Sequence, residues 1–332
     1  MSVLFRELEQ DRLRCIDVGA RGGIQNHWKP YRSLIELDAF EPDAVACALQ
    51  QQAKRPNENW YPVALGPESG TAKLHVLKKP SSSSLLPPNP KVMSVYSHSG
   101  YGELNKIVEL PTLTLADFFK QHRRPTPNLI KLDTQGTELS ILKSMAPENW
   151  SNLLALQSEV EFVEAYLGQP LFHDVDAYMR AQGFILFDLL VTRSYRAEGQ
   201  RDHHFLKKHL NIGRNRRDIS ARITAGDAFY LRPPEQVLEK GDRKAVLKLF
   251  LILLIYRCLD EALWLAEAAA ARKLITAAES AELIATVQQA APAPALYQRN
   301  DKIGLWTRKL MKFLNIGRGR KIEYWMDRSW DY

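Results

Sequence analysis

Short apolar runs alternate with helix-like stretches along the first 233 residues of the chain. The runs lie at residues 14–18, 34–40, 60–65, 129–133, 153–162, 184–189 and 227–231. Between several of them, apolar residues recur at the spacing of an amphipathic helix, as in 42–54 and 174–183. Strands that alternate with helices are typical of an α/β fold, so the pattern predicts a mostly parallel, doubly wound sheet over residues 1–233.

The pattern changes twice. Residues 66–110 interrupt the alternation with a polar stretch rich in Ser, Pro and Gly, which we interpret as a lid or an acceptor loop. After residue 233 the pattern is helical only, which predicts a second region, 234–332, as an all-helical C-terminal extension. Near its end, the pattern of residues 302–314 predicts a basic amphipathic helix that either docks on its own domain or lies on an anionic membrane surface.

Composition narrows the class of protein. The 332 residues are 45% hydrophobic and 25% charged, which is ordinary for a soluble globular chain. The three cysteines lie far apart without a CxxC pair, which argues against a disulfide framework or a zinc site. No signal peptide is evident, and the longest apolar run, 249–256, is too short to cross a bilayer. We therefore predict a cytoplasmic protein.

The net charge of +7 is weak evidence for an anionic partner. The sheet region has no RNA-binding motif and no strand in which basic and aromatic residues alternate, so we expect no nucleic-acid partner. The pattern leaves the oligomeric state open.

A glycine-rich turn follows the first strand. In the sequence "IDVGARGG", Asp17, Gly19 and Gly23 form a DxGxxxG pattern, and Glu41 ends the second strand 24 residues after Asp17. A carboxylate at that place binds both ribose hydroxyls, so the pair predicts an adenosine-containing cofactor. A dinucleotide needs a second glycine where Arg21 stands, which favours S-adenosylmethionine over NAD.

These segments together resemble the FkbM-type methyltransferases. The resemblance covers about residues 13–233 and rests on "CIDVGARGG", "AFEPD", "VALGPESGTAKL", "VELPTLTLADFF", "NLIKLDTQGTELSILKSM", "SEVEF", "GFILFDL" and "DAFYL". It implies a Rossmann-like class I methyltransferase sheet and S-adenosylmethionine-dependent O-methylation of sugar or natural-product hydroxyls, often in bacterial glycan biosynthesis. Arg21 departs from the family pattern, and the resemblance gives the region after residue 234 no function.

The predicted site residues follow from these patterns. The predicted cofactor contacts are Asp17, Gly19, Ala20, Arg21, Gly23, Glu41, Pro42, Ala64, Leu65 and Asp133. Asp133 leaves the fourth strand of the alternation, where ligands bind in an open α/β sheet, so it is a candidate base, acceptor-orienting group or metal ligand. The alternative is that Asp133 or Thr134 caps the helix that follows.

Further acidic residues and two histidines complete the candidates. Asp133, Glu138 and Glu159 form a carboxylate set that predicts an Mg²⁺ site or, alternatively, a hydrogen-bonded polar layer that shapes the pocket. Glu159 is also a candidate catalytic group. His98 and His173 are alternative bases in loops, or else solvated or helix-capping residues.

Two classes of function remain open at this stage. The first is an enzyme that methylates a carbohydrate or glycolipid acceptor, in the cytoplasm or peripherally at the inner membrane. The second is a non-catalytic binding or scaffold protein whose C-terminal helices engage a membrane or an anionic partner.

Overall fold

The computed structural model describes residues 3–96, 102–194 and 222–291. This part of the chain contains ten strands: β1 (Leu13–Val18), β2 (Ile35–Phe40), β3 (Glu58–Tyr61), β4 (Ala64–Leu65), β5 (Gly70–Leu77), β6 (Leu104–Leu113), β7 (Leu129–Leu132), β8 (Ala155–Glu161), β9 (Ile185–Ser194) and β10 (Arg222–Leu231). Seven of them form one sheet in the order β3-β2-β1-β7-β8-β10-β9. All neighbours up to β8 pair in parallel, and β10 runs antiparallel to both β8 and β9. The predicted mostly parallel α/β sheet is confirmed.

Helices cover both faces of this sheet. The helices of the described residues are α1 (Val3–Gln10), α2 (Ala44–Ala53), α3 (Pro90–Met93), α4 (Leu115–His122), α5 (Glu138–Lys143), α6 (Phe172–Ala181), α7 (Pro234–Glu239), α8 (Arg243–Ile255), α9 (Leu259–Ala271) and α10 (Ala277–Ala290), with a 3-10 helix at Asn26–Leu34. Alternate residues of each central strand enter two separate hydrophobic clusters. One cluster joins the sheet to α4, α5 and α6, and the other joins it to α7–α10 and the 3-10 helix.

The prediction of a loop over the whole interval 66–110 is wrong, because two of its segments are strands. The interval contains β5 and β6, which pair antiparallel and form a second, three-stranded sheet with β4. Ala72, Leu74 and Val76 alternate with Lys73 and His75, which is the period-two pattern of a strand with one polar face. The polar face of β5 and the Ser- and Pro-rich stretch that follows it led to the prediction of a loop.

The helices after residue 233 pack closely on the sheet. In α8, the residues Val246–Ile255 are all buried, so this helix is enclosed on every side. Residues on both sides of position 233, such as Cys15, Phe229 and Leu249, belong to one hydrophobic cluster. The predicted helical extension is present as far as the description reaches, while the basic segment 302–314 lies outside the described residues. Among the helices that are described, none is long and apolar enough to span a membrane.

Candidate active site

A cavity of about 870 Å³ lies beyond the carboxyl ends of β1, β2 and β7. β1 pairs with β2 on one side and with β7 on the other, so the order in which strands are added to the sheet reverses at β1. Ligands of open α/β sheets bind at such a reversal. The apolar face of β5 and β6 lies over the cavity, which therefore has a floor of strand ends and a roof of strands.

The turn after β1 requires glycine at its first position. Gly19 has φ +81°, and a Cβ there would lie 2.0 Å from the carbonyl oxygen of Asp133. The Gly19 and Ala20 amides both donate to the Phe40 carbonyl at 3.1 Å. Gly23 also has a positive φ of +87° and packs against Gln50. The turn thus holds β1, β2 and β7 together at the edge of the cavity.

Glu41 presents a buried carboxylate to the cavity from the end of β2. Its side chain is only 4% exposed, and its Oε1 accepts a hydrogen bond of 2.8 Å from the Asp43 amide. Burial raises the pKa of Glu41, although that backbone hydrogen bond and Arg21 oppose the shift. A buried carboxylate in a cavity wall is suited to accepting hydrogen bonds from the hydroxyls of a ligand.

Arg21 lies at the rim of the cavity and extends toward α2. Its guanidinium pairs with Asp43 Oδ2 at 2.8 Å and lies 4.0 Å from Glu41 Oε1. Asp43 caps α2 by accepting hydrogen bonds from the Val45 and Ala46 amides. The arginine that departs from the family pattern is therefore held by an ion pair at the start of α2.

Eight of the ten predicted cofactor residues line the cavity: Gly19, Arg21, Gly23, Glu41, Pro42, Ala64, Leu65 and Asp133. The other two are buried beneath it, since Asp17 is 0% exposed and Ala20 is 1% exposed. These two shape the floor from below.

Asp17 belongs to a buried chain of charges that leads to Asp133. The Lys131 ammonium lies 3.5 Å from Asp17 Oδ1 and 3.3 Å from Asp133 Oδ2, and Gln25 donates to Asp17 Oδ2 at 3.0 Å. Burial raises the pKa of Asp17 despite Lys131. Burial opposes the charge of Lys131 as well, but Asp133 and Asp17 together raise the pKa of its ammonium. The floor of the cavity thus contains a fixed cation.

Asp133 does not cap α5. The N-cap of that helix is Thr137, which makes no capping hydrogen bond with its side chain. The turn before the helix is held instead by Glu138, whose carboxylate accepts from the Thr134 amide at 2.6 Å and from the Gly136 amide at 2.9 Å. The alternative interpretation of Asp133 as a cap is wrong, because Glu138 satisfies these amides.

Asp133, directly after β7, lies beside Glu159 of the neighbouring strand β8. The side-chain amide of Gln135 donates to Asp133 Oδ1 at 3.0 Å and also to Glu159 Oε2. Burial opposes ionisation of Asp133, but Lys131 and Gln135 hold its pKa below the ordinary value. Burial and the neighbouring Asp133 raise the pKa of Glu159 well above its usual range. The two pKa shifts run in opposite directions, which favours Asp133 over Glu159 as the ionised member of the pair.

The predicted Mg²⁺ ligands do not form a cation site. Within the described ranges, no three Asp, Glu, His or Cys side chains are placed to hold a metal ion. Glu138 is turned into the helix start, and Glu159 does not line the cavity. The arrangement fits the hydrogen-bonded polar layer, and we derive no chemistry through a metal.

A family comparison decides the class of protein. The model of the methyltransferase FkbM domain matches residues 17–186, just over half of the 332-residue chain. The chain belongs to the FkbM methyltransferase family. Among curated proteins, none matches it. The span shared with the FkbM domain contains Asp17, Glu41 and Asp133, and it ends before the helices α7–α10.

Of the two histidine candidates, His173 is not brought to the cavity of this FkbM protein. His173 lies in the first turn of α6, where its side chain is 75% exposed and its Nε2 is 3.4 Å from Asp174 Oδ1. It is a solvated side chain that does not line the cavity. His98 lies outside the described residues.

Lys131, Gln135 and Tyr166 are site residues that the sequence patterns did not identify. The lysine inside the apolar run "LIKLD" could have indicated a buried ion pair, because a charge in a buried strand needs a partner. The contacts of Gln135 and Tyr166 join segments that are far apart in the chain, and no local pattern marks them.

Proposed function

We propose that the chain is an S-adenosylmethionine-dependent O-methyltransferase that acts on a hydroxyl of a sugar or glycan, on a Rossmann-like class I fold. The observation that carries this proposal is the composition of one cavity. Its walls combine the glycine turn after β1, the buried carboxylate of Glu41 after β2 and the carboxylate of Asp133 after β7, whose pKa is lowered. Family membership supplies the class of reaction, which is methyl transfer.

The residues present fit S-adenosylmethionine. Glu41 offers a carboxylate to the ribose hydroxyls, and Ala64 and Leu65 offer apolar surface beside it. Arg21 is held by Asp43, so the turn does not present the glycine-lined approach that a pyrophosphate requires. The cofactor, when bound, supplies an activated methyl group.

Asp133 is the residue that we assign to the acceptor hydroxyl. Its carboxylate lines the cavity, is 40% exposed and is kept ionised by Lys131 from below. An ionised carboxylate at this place accepts the hydroxyl proton and orients the oxygen. General-base catalysis of this kind is worth about 10²-fold to 10⁴-fold in rate, and alignment of the reactants supplies much of the rest.

The roof of the cavity supports a polar acceptor. Ser81, Ser83 and Asn105 bring hydroxyl and amide groups to the lining, beside the apolar side chains of β5 and β6. Hydroxyls and amides form directional hydrogen bonds with the hydroxyls of a sugar. Together with the family resemblance, this composition favours a carbohydrate or glycolipid acceptor over a nucleic acid. Attachment to the inner membrane through the basic segment 302–314 stays a prediction.

The cofactor assignment is tested by isothermal titration with S-adenosylmethionine, S-adenosylhomocysteine and NAD. We expect saturable binding of the two sulfur compounds and none of NAD. Glu68 is an exposed glutamate outside the cavity wall, so Glu68→Gln is the control for replacement of Glu41. This control variant should bind the cofactor as the wild type does. Binding of NAD without binding of S-adenosylmethionine would overturn the proposal.

The acceptor class is tested by release of S-adenosylhomocysteine during incubation with nucleotide sugars, oligosaccharides and glycolipids, each as a separate pool. We expect release with at least one of these pools. Release with natural-product phenols or with RNA, and with no saccharide, would contradict the acceptor class while leaving the methyltransferase assignment in place.

A further inference from the structure

Gln135 adopts a backbone conformation that is uncommon for its residue type. Its φ is +61°, in the left-handed region, and Gly136 follows with φ +106°. Outside glycine, such conformations cost about 1 kcal/mol or more and persist where surrounding contacts fix them. Here the conformation directs the Gln135 side chain across the carboxyl ends of β7 and β8, beside the cavity.

The amide of Gln135 bridges two carboxyl groups. A primary amide nitrogen has two hydrogens, and Gln135 Nε2 directs hydrogen bonds to Asp133 Oδ1 and to Glu159 Oε2. Each of these N–H groups is directed at one oxygen of a different carboxyl group, so a single amide holds both groups in place. The bridge therefore fixes the orientation of Asp133 from the side opposite to Lys131, which contacts its other oxygen.

The oxygen of the same amide connects the pair to the roof. The Tyr166 hydroxyl lies 3.0 Å from Gln135 Oε1 and 2.6 Å from the Ser82 carbonyl oxygen, so its single hydrogen serves two acceptors. The Ser84 hydroxyl donates to the Gln135 backbone carbonyl at 2.7 Å. Ser84 is 1% exposed and Tyr166 is 1% exposed, so water does not compete for these bonds.

We propose that Gln135 is a positioning residue, which holds the carboxyl groups of Asp133 and Glu159 side by side and couples them to the serine segment 80–84 of the roof. Glu159 acts through this bridge and does not touch the acceptor. The assignment of Asp133 as the group that meets the acceptor rests on the proposed function. The coupling to the serine segment is independent of it.

The coupling is tested by hydrogen-deuterium exchange of Gln135→Met, which keeps the length and the backbone strain but removes both polar atoms. The matched control is Gln51→Met, because Gln51 also makes a partly buried side-chain hydrogen bond, at 2.9 Å to the Trp60 carbonyl, away from the cavity lining. We expect at least tenfold faster exchange of the amides in residues 82–86 in Gln135→Met and in Tyr166→Phe, but not in Gln51→Met. Equal exchange in wild type and Gln135→Met would overturn the coupling.

The positioning role is tested on the same proteins by separating binding from turnover. We expect Gln135→Met to bind S-adenosylhomocysteine within about threefold of the wild type, while methyl transfer to a responsive saccharide pool slows by about 10²-fold. Turnover that is unchanged would overturn the positioning role. Absence of methyl transfer by the wild type would count against the proposed function alone, because the exchange experiment needs no acceptor.

Discussion

Replacement of Lys131 by Met should destabilise the fold strongly. Lys131 is 5% exposed and neutralises Asp17, which is 0% exposed, across 3.5 Å. Removal of one partner leaves a buried carboxylate without a counterion, which costs about 3–5 kcal/mol in known cases. Asp133 adds little to this cost, because its side chain is 40% exposed and water screens it. The expected loss is a large fraction of the roughly 5–15 kcal/mol that stabilises a typical domain.

Urea unfolding followed by circular dichroism measures this effect. Lys73→Met is the control, since Lys73 is exposed on β5, and its unfolding free energy should change by less than about 0.5 kcal/mol. The double variant Asp17→Asn/Lys131→Met removes both charges and should recover about half or more of the loss, because replacing both partners of a buried pair is often nearly neutral. A Lys131→Met protein within about 1 kcal/mol of the wild type would refute the buried ion pair.

Three other predictions concern Glu41 in the cavity wall, the buried carboxyl group of Glu161 at the end of β8, and the helical extension. Glu41→Ala should weaken S-adenosylhomocysteine binding by roughly 1–3 kcal/mol in calorimetry, because charge-assisted hydrogen bonds to the ribose are lost, and unchanged affinity would place the ribose elsewhere. Burial raises the pKa of Glu161 to about 9, with Glu138 and Asp133 adding to the shift. A carboxyl group with a raised folded pKa stabilises the fold below its unfolded pKa and loses that contribution as pH rises toward 9. The unfolding free energy of Glu161→Gln minus that of the wild type, measured with urea, should therefore be larger at pH 8.5 than at pH 5. An equal difference at both pH values would contradict the raised pKa of Glu161. Removal of residues 234–332 should give insoluble protein in a sedimentation assay, because it exposes the apolar sheet face that α8 covers. A soluble 1–233 fragment would show that the sheet does not need this cover.

The parts of the site that the sequence predicted are those at strand ends. Glu41 and Asp133 each follow an apolar run of strand length, Asp17 is the penultimate residue of β1, and parallel strands place their carboxyl ends at one edge. Local period and topology were enough to bring Glu41 and Asp133 to one cavity. The same reasoning predicted that Asp17 contacts the cofactor, whereas Asp17 is fully buried and does not line the cavity.

The parts that the sequence did not predict depend on contacts between distant segments. Glu138 was predicted to be an Mg²⁺ ligand together with Asp133 and Glu159, but its carboxylate accepts hydrogen bonds from the preceding turn instead. His173 read as a loop base, although α6 carries it to the surface. Gln135 is 31 residues from Tyr166 and 51 from Ser84, and no periodic pattern encodes such pairs.

Methyl transfer by Asp133→Asn tests the central claim most directly. The amide keeps the shape of the side chain but removes the charge to which we assign acceptance of the hydroxyl proton. With labelled S-adenosylmethionine and a responsive saccharide pool, turnover should fall by about 10²-fold or more, while calorimetry should show nearly unchanged affinity for S-adenosylhomocysteine. Wild-type turnover in a folded Asp133→Asn protein would remove Asp133 from the mechanism and contradict the assignment of this cavity as an active site built around it.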